Sequence, residues 1–296
     1  MSLFRSSRQP SPLPPAPPAS PSAPLFDLAN LRTRTRAENE SWMRALASPV
    51  FVAQATALCR ILGRYKAYVD TRDAGLSAHL LLDGYWEMWV TEAMASAVRP
   101  GMHAVDCGAN VGYYTLLLAD LVGAAGRVTA VEPNARMVGL LRRSLLANGF
   151  GSRVTLCDRP AYGRSDVSMV LDVPEDHPQN ATLRAPGEGR ERTLSTITLD
   201  DLVGDAPVDF VKIDVEGAEE QVWAGMAGIL RRGAPLTVYL EFNAHRYDAP
   251  ERFLDEVLSH GFTVASIDAE RGVLPVTPEA ILARESREDW MLVLTR

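Results

Sequence analysis

From residue 103 onward, short apolar runs alternate with segments whose apolar residues recur every three or four positions. The runs predict strands over 103–107, 127–132, 154–158, 209–214, 236–242, 262–268 and 290–295. Between them lie helical stripes. Tyr114, Leu117, Leu118 and Leu121 form one; Met137, Val138, Leu141 and Leu145 a second; Val222, Met226, Ile229 and Leu230 a third. Apolar strands alternating with amphipathic helices predict an α/β fold: a doubly wound, mostly parallel seven-stranded sheet covered on both faces. The stretch 159–208 mixes β-favouring residues with Pro and Gly and reads as a hairpin-like insertion near the binding face.

Upstream, Phe51, Ala55, Leu58, Leu62 and Tyr65 fall on one helical face, and a second helix is expected over 85–98. Arg99-Pro100-Gly101 then breaks the chain. Residues 26–100 therefore read as a helical extension or cap, and 101–296 as the catalytic domain. Positions 1–24 hold eight of the twenty prolines and six serines, so a disordered tail is expected over 1–25. Such a tail suits a proline-binding partner, but a plain flexible lead-in is the simpler reading.

A net charge of −7 argues against nonspecific binding to phosphate backbones or anionic membranes. No run approaches the length of a transmembrane helix, and the amino terminus lacks the apolar core of a secretion signal. Cys59, Cys107 and Cys157 lack C-x-x-C spacing and read as reduced thiols, so a cytoplasmic protein is expected. The basic residues are 28 arginines and two lysines, Lys66 and Lys212, a bias that reads as genome composition.

The first strand runs into Asp106-Cys-Gly-Ala-Asn-Val-Gly112, a turn without the G-x-G-x-x-G of a dinucleotide site. Gly108 lets the backbone approach a ligand, and Gly112 eases the start of the helix. Asp106 suits a ligand ammonium better than a pyrophosphate. Glu132, 26 residues later at the second strand's end, suits a carboxylate accepting from ribose hydroxyls. Asp158, ending the third, suits the adenine amino group. Cation, ribose and adenine in that order match S-adenosylmethionine. Each residue also has a duller reading: Asp106 and Asn110 as helix caps, Glu132 as a solvent-facing strand end.

Strand alternation puts Lys212, Asp214 and Glu216 on one side of the fourth strand, with Asp214 beside the transferable methyl. Lys212 would hold Asp214 ionised and oriented; a purely structural ion pair weighs nearly as much. Glu216 could instead cap the following helix. The fifth strand delivers Glu241 and His245 to the same cleft mouth, where His245 is placed as a general base, although loop histidines are more often merely exposed. Asp214 with Glu241 or Asn243 would make an oxygen-rich Mg2+ site, but paired acids at strand ends are common without metals, and no metal is expected.

Four segments resemble the FkbM-type family of class I S-adenosylmethionine-dependent methyltransferases: DCGANVGYYTLLLA (106–119), AVEPN (130–134), TLDDL (198–202) and VKIDVEGAEEQVWAG (211–225). The resemblance spans roughly 85–295. It implies cofactor contacts at Asp106, Gly108, Asn110, Gly112 and Glu132, a set that Tyr113, Asn134 and Asp158 complete. Asp158-Arg-Pro-Ala161 departs from the family pattern, and Cys107 stands where the family often has an aliphatic residue. The resemblance favours O-methylation of a hydroxyl on a small molecule, a sugar or secondary metabolite; the strand ends offer Asp214, Lys212, His245 and Glu241 as the catalytic residues for it. No N-P-P-Y-like motif follows the fourth strand, which disfavours nucleic acid as a partner. Two other readings stand beside this one: a NAD-dependent oxidoreductase on a similar sheet, and a non-catalytic binding protein with a relic pocket. The acceptor's identity is not legible, and a homodimer is compatible with the sequence.

Overall fold

Three strands stand where one helix was expected. The computed structural model describes residues 24–174, 180–284 and 289–296; the expected tail lies outside them apart from Pro24 and Leu25. Asn30–Thr33 (α1) and Arg36–Leu46 (α2) come first, the second opened by a capping box between Thr35 and Glu38. Phe51, Leu58 and Tyr65 then belong to an antiparallel sheet of Val50–Ala53 (β1), Thr56–Ile61 (β2) and Tyr65–Asp70 (β3). Their spacing satisfies a helical period, but the turn overrides it. Leu62 and Gly63 adopt left-handed backbone, φ 50° and 57°, which no helix continues and which reverses the chain into β3. Leu76–Leu82 (α3) and Met88–Ala97 (α4) follow, the latter within the expected 85–98. The expected helical extension is thus a mixed α/β cap.

The alternation beyond residue 100 builds the sheet. His103–Cys107 (β4), Tyr113–Leu121 (α5), Arg127–Val131 (β5), Ala135–Ala147 (α6) and Val154–Cys157 (β6) form one half. In the insertion, Ser168–Asp172 (β7), Thr182–Arg184 (β8) and Leu194–Ser195 (β9) pair as a separate antiparallel sheet. Leu199–Val203 (α7), Phe210–Ile213 (β10), Glu219–Ala224 (α8), Ala227–Arg231 (α9) and Thr237–Phe242 (β11) come next. A 3-10 turn at Ala244–Arg246, then Pro250–Ser259 (α10), Thr263–Asp268 (β12), Gly272–Pro275 (β13), Pro278–Leu282 (α11) and Trp290–Thr295 (β14) complete the chain.

The large sheet has the order β13-β12-β14-β11-β10-β4-β5-β6. The seven expected strands are all present; β13 is an eighth, on the edge. β6, β5, β4, β10 and β11 are parallel, and β14 enters antiparallel between β11 and β12. β4 and β10 are buried along their whole length, as expected of strands covered on both faces. Ala104, Ala130, Phe210 and Tyr239 face α5, α6 and the cap, whereas Val105, Val131, Val211 and Val238 face α8 to α10. The third expected helical stripe divides into α8 and α9 at Gly225, whose Cα lies against the Tyr162 carbonyl so closely that a Cβ would sit 2.2 Å from it.

The cap is fastened to α6. Ser144 Oγ accepts from the Tyr68 amide at 2.9 Å, and Asn148 brackets the Lys66 backbone at 3.0 and 2.7 Å. At the start of α6, Arg136 donates to the buried Asp70 carboxylate and to the Ala55 carbonyl. Burial alone would raise the Asp70 pKa, but hydrogen bonds from Arg72 and Arg136 hold it below the usual carboxylate range. Asp70→Ala is expected to destabilise the protein by about 2 kcal/mol, below the usual cost of breaking a buried pair because Arg136 stays partly solvated. Urea denaturation reads this directly; an unmoved midpoint would mean that this pair does not couple cap and sheet.

Candidate active site

Sheet order reverses between β4 and β10, so the chain leaves these two strand ends in opposite directions and a cleft opens above them. Its floor is the turn after β4. The Asp214 amide donates to the Cys107 carbonyl at 3.1 Å, and a Cβ on Gly108, φ 87°, would lie 1.8 Å from the Asp214 carbonyl oxygen. Only glycine permits that approach. Asn110 is also left-handed, φ 50°, with its own Oδ1 accepting from the Val111 amide at 2.7 Å. Gly112 serves packing instead: a Cβ there would meet Leu141 of α6 at 2.2 Å. The cleft is about 880 Å3 in volume. Gly108, Asn110, Tyr113 and Glu132 line one end, and Asp214, Glu216 and Glu241 the other. Trp86, Glu87 and Trp89 from the cap and Trp290 from β14 add walls absent from the sequence reading.

At the β5 end, both Glu132 oxygens accept backbone amides, Oε2 from Asn110 and Oε1 from Asn134, each at 2.8 Å. Burial pushes this carboxyl up to about 7 despite those bonds. Asn134 lies outside the cleft wall and caps α6, its Oδ1 accepting from the Arg136 amide at 3.1 Å. Asp158 is exposed and outside the wall; Pro160 and Ala161 line the cleft there.

Asp106 corrects the sequence reading most sharply. Strand alternation turns it onto the face covered by α5, where it is buried, accepts from the Thr115 hydroxyl and does not line the cleft. Its other oxygen has no hydrogen-bond partner among the described residues. An ammonium does face it, but that ammonium is the protein's own. Lys212 is the register partner of Asp106 on β10 and is also buried. It donates to Asp214 Oδ2 at 2.8 Å, with Nζ 5.0 Å from the centre of the Tyr114 ring. Burial would lower the Lys212 pKa, but the charges of Asp214 and Asp106 raise it well above the ordinary lysine range.

Asp214 itself lines the cleft, where one oxygen each of Asp214, Glu216 and Glu241 lie within 4.8 Å of one another. Burial and the Asp214 charge push Glu216 up to about 7 and hold Glu241 well above the usual carboxylate range. Arg246 supplies the countercharge, reaching Glu241 at 2.6 Å, Asp289 at 3.1 Å and Glu216 at 3.2 Å. His245 does not enter. Asn243 caps the 3-10 turn by accepting the His245 amide at 3.0 Å, and the turn sends Arg246 inward while His245 stays exposed and outside the wall. Glu216, left-handed at φ 55°, projects into the cleft because Glu219 holds the turn, accepting from the Val215 and Gly217 amides at 3.0 and 3.1 Å. The TLDDL segment is structural: Asp200 accepts the Gly228 and Ile229 amides of α9 at 2.6 and 2.9 Å.

A mostly parallel sheet of this order with a cleft at its switch point is a doubly wound, Rossmann-like arrangement. The chain belongs to the FkbM methyltransferase family: residues 106–264, more than half its length, match the methyltransferase FkbM domain. It is thereby an S-adenosylmethionine-dependent methyltransferase, and the nicotinamide-dependent reading is set aside. Solved structures similar to it include a SAM-dependent O-methyltransferase from Thermotoga maritima, 17% identical over 81% of this chain and 77% of that one, TM-score 0.40. An O-methyltransferase from Bacillus cereus in complex with S-adenosylhomocysteine is 14% identical over 71% and 78%, TM-score 0.39. The precorrin-6y C5,15-methyltransferase of Geobacter metallireducens is 16% identical over 71% and 89%, TM-score 0.40. No curated protein matches the chain. Among the described residues, no helix is long and apolar enough to cross a membrane.

Gly108→Ala would force the Asp214 carbonyl out of the floor. S-adenosylhomocysteine affinity is expected to fall about 100-fold, or about 2.7 kcal/mol, by calorimetry on the full chain. Binding within a factor of two of wild type would show that the close approach of β4 and β10 is not what shapes the site.

Proposed function

We propose that this chain transfers a methyl group from S-adenosylmethionine to a hydroxyl of a small molecule. The observation that carries this reading is the crowd of carboxylates at the β10–β11 end of a tryptophan-walled cleft. A hydroxyl, unlike a thiolate or a neutral amine, needs a partner for its proton at neutral pH. The same surplus of acid, with a chain charge of −7, opposes a nucleic-acid phosphate backbone and supports a small acceptor.

In this reading Gly108, Asn110, Tyr113 and Glu132 hold the cofactor. The residues fit it: Gly108 leaves a cradle that a side chain would fill, and each Glu132 oxygen keeps a lone pair for a ribose hydroxyl. The bound cofactor supplies an already activated methyl on a sulfonium. What the protein adds is alignment and dryness. Asp214, fixed by Lys212, orients the acceptor hydroxyl, and Glu241 with Arg246 closes that end of the cleft. Asp106 acts from beneath by holding Lys212.

Two measurements follow from these roles. Only an ionised Glu132 accepts from both ribose hydroxyls, so S-adenosylhomocysteine affinity is expected to rise with pH through about 7, with a proton released on binding. Glu132→Gln should flatten that profile and weaken binding about tenfold, or about 1.4 kcal/mol. Isothermal titration at several pH values checks both, and a wild-type profile that falls or stays flat through this range would remove Glu132 from the ribose. For the reaction itself, tritiated S-adenosylmethionine offered with sugars, sugar nucleotides and polyhydroxylated metabolites is expected to label a hydroxyl oxygen. Label appearing only on nitrogen, carbon or RNA would overturn the hydroxyl reading.

A further inference from the structure

Most carboxylates that line the cleft already have a strong partner. Asp214 is paired with Lys212 at 2.8 Å, and Glu216, Glu241 and Asp289 with Arg246. Asp268 has Arg271 at 3.4 Å, and Glu132 has two backbone amides. Each of these partners is already bound to its carboxylate, so a proton delivered there would break an existing ion pair or amide bond. Among the described residues, Glu87 alone has neither. Its Oε2 accepts from the neutral hydroxyl of Tyr114 at 3.0 Å, and the neutral Trp86 indole is a further hydrogen-bond donor to the carboxylate.

The backbone at Glu87 points the same way. Glu87 is the N-cap of α4, where an acid normally accepts the first-turn amides, yet its side chain makes no capping bond. Its backbone is left-handed, φ 35° and ψ 67°, a conformation that costs a non-glycine residue strain and concentrates at functional positions. The result is a carboxylate withdrawn from its helix and presented to the cleft.

We propose that Glu87 is the base that takes the proton from the acceptor hydroxyl, an assignment that rests on the hydroxyl reading above. As the acceptor oxygen forms its bond to the methyl carbon, the carbon–sulfur bond breaks and its electron pair returns to sulfur, leaving a neutral thioether. The hydroxyl proton passes to a Glu87 carboxylate oxygen and later to solvent. Tyr114 orients the carboxylate, and its ring also lies under Lys212, so base and alignment pair share one support. Burial and the nearby Asp214 charge push the Glu87 carboxyl above the usual range, toward useful basicity, against the Tyr114 hydrogen bond, the Lys212 charge and the Trp86 indole, which lower it. Glu87 lies outside the segment 106–264 that matches the family domain, so the cap supplies chemistry as well as a wall.

The test uses the full chain as wild type, Glu87→Gln and Glu87→Asp. An acceptor-free readout comes first. Because the folded pKa is raised, the Glu87 contribution to stability is present at low pH and is lost as pH rises through the folded value. The melting temperature of Glu87→Gln relative to wild type is therefore expected to climb as pH rises above the ordinary glutamate range of about 4.3. A Gln variant less stable than wild type throughout that rise in pH would reveal a cationic partner and overturn the assignment. Turnover is then read with the hydroxyl compound that takes label from tritiated S-adenosylmethionine. Glu87→Gln is expected to lose about 100-fold or more in kcat and the acidic limb of the pH profile, with S-adenosylhomocysteine affinity unchanged, and Glu87→Asp to recover part of the rate. A Gln variant within about threefold of wild type, acidic limb intact, ends the role of Glu87 and leaves hydroxyl methylation standing. Label that reaches only nitrogen, carbon or RNA in the wild type ends both. If Glu87→Gln does not fold, Glu87→Asp decides: a base predicts a slower enzyme whose acidic limb is displaced, and a wild-type profile contradicts it.

Discussion

A single ammonium buried inside a parallel sheet organises the molecule. Lys212 lies midway along β10, between Asp106 on the neighbouring strand and Asp214 at the strand's end, with the Tyr114 ring against its Nζ. A lone charge there would be prohibitively desolvated; two carboxylates and an aromatic face make it tolerable. The consequences run outward. Asp106 is bound to Thr115 and so anchors α5, whose first residues follow the cofactor turn. Asp214 is aimed into the cleft, and its backbone carbonyl rests on Gly108. One charge thus ties the cofactor half of the floor to the acceptor half. In a chain of 28 arginines and two lysines, a lysine at this point reads as a demand for a compact ammonium, since a planar guanidinium needs a wider, forked partner.

Around that centre the cleft is divided by how its acids are satisfied. Backbone amides serve Glu132, the Lys212 ammonium serves Asp214, and the Arg246 guanidinium serves Glu216, Glu241 and Asp289. The partners differ in charge and geometry, so carboxyls of one chemical type are held in different ways around the cleft. The cap contributes to this division. By packing β3 on α6 and swinging Glu87 and two tryptophans over the strand ends, it turns an open switch-point crevice into an enclosed cleft.

How much of this could be read from the chain depended on whether the deciding force was local. The strands of the large sheet were legible because strands buried on both faces are continuous apolar runs. The hairpin of β2 and β3 was not, because Leu58, Leu62 and Tyr65 fit a helical period and only the left-handed pair Leu62–Gly63 decides between the two. The Lys212–Asp214 pair is legible from strand alternation, and the placement of Glu132 from where the second apolar run ends. Asp106 obeys the same alternation, which carries it under α5 and away from the cleft. The position of His245 is not legible from strand alternation, because a 3-10 turn rotates each successive residue by a third of a circle and brings Arg246 inward in its place. Glu87, Trp86 and Trp290 come from distant segments that only the folded chain brings together, and Glu87 carries no local sign beyond a carboxylate at a helix start that fails to cap.

The presence of only two lysines makes the central ammonium directly observable. In protein labelled with 13C at the lysine ε-carbon, NMR should show two signals, with exposed Lys66 as the reference and Lys212 assigned by substitution. Held by its carboxylates, Lys212 is expected to keep its charged-state shift as pH rises through the ordinary lysine range at about 10.4. A Lys212 signal that titrates below that range would mean burial has overcome its carboxylates, and that no charged pair holds the cleft floor together.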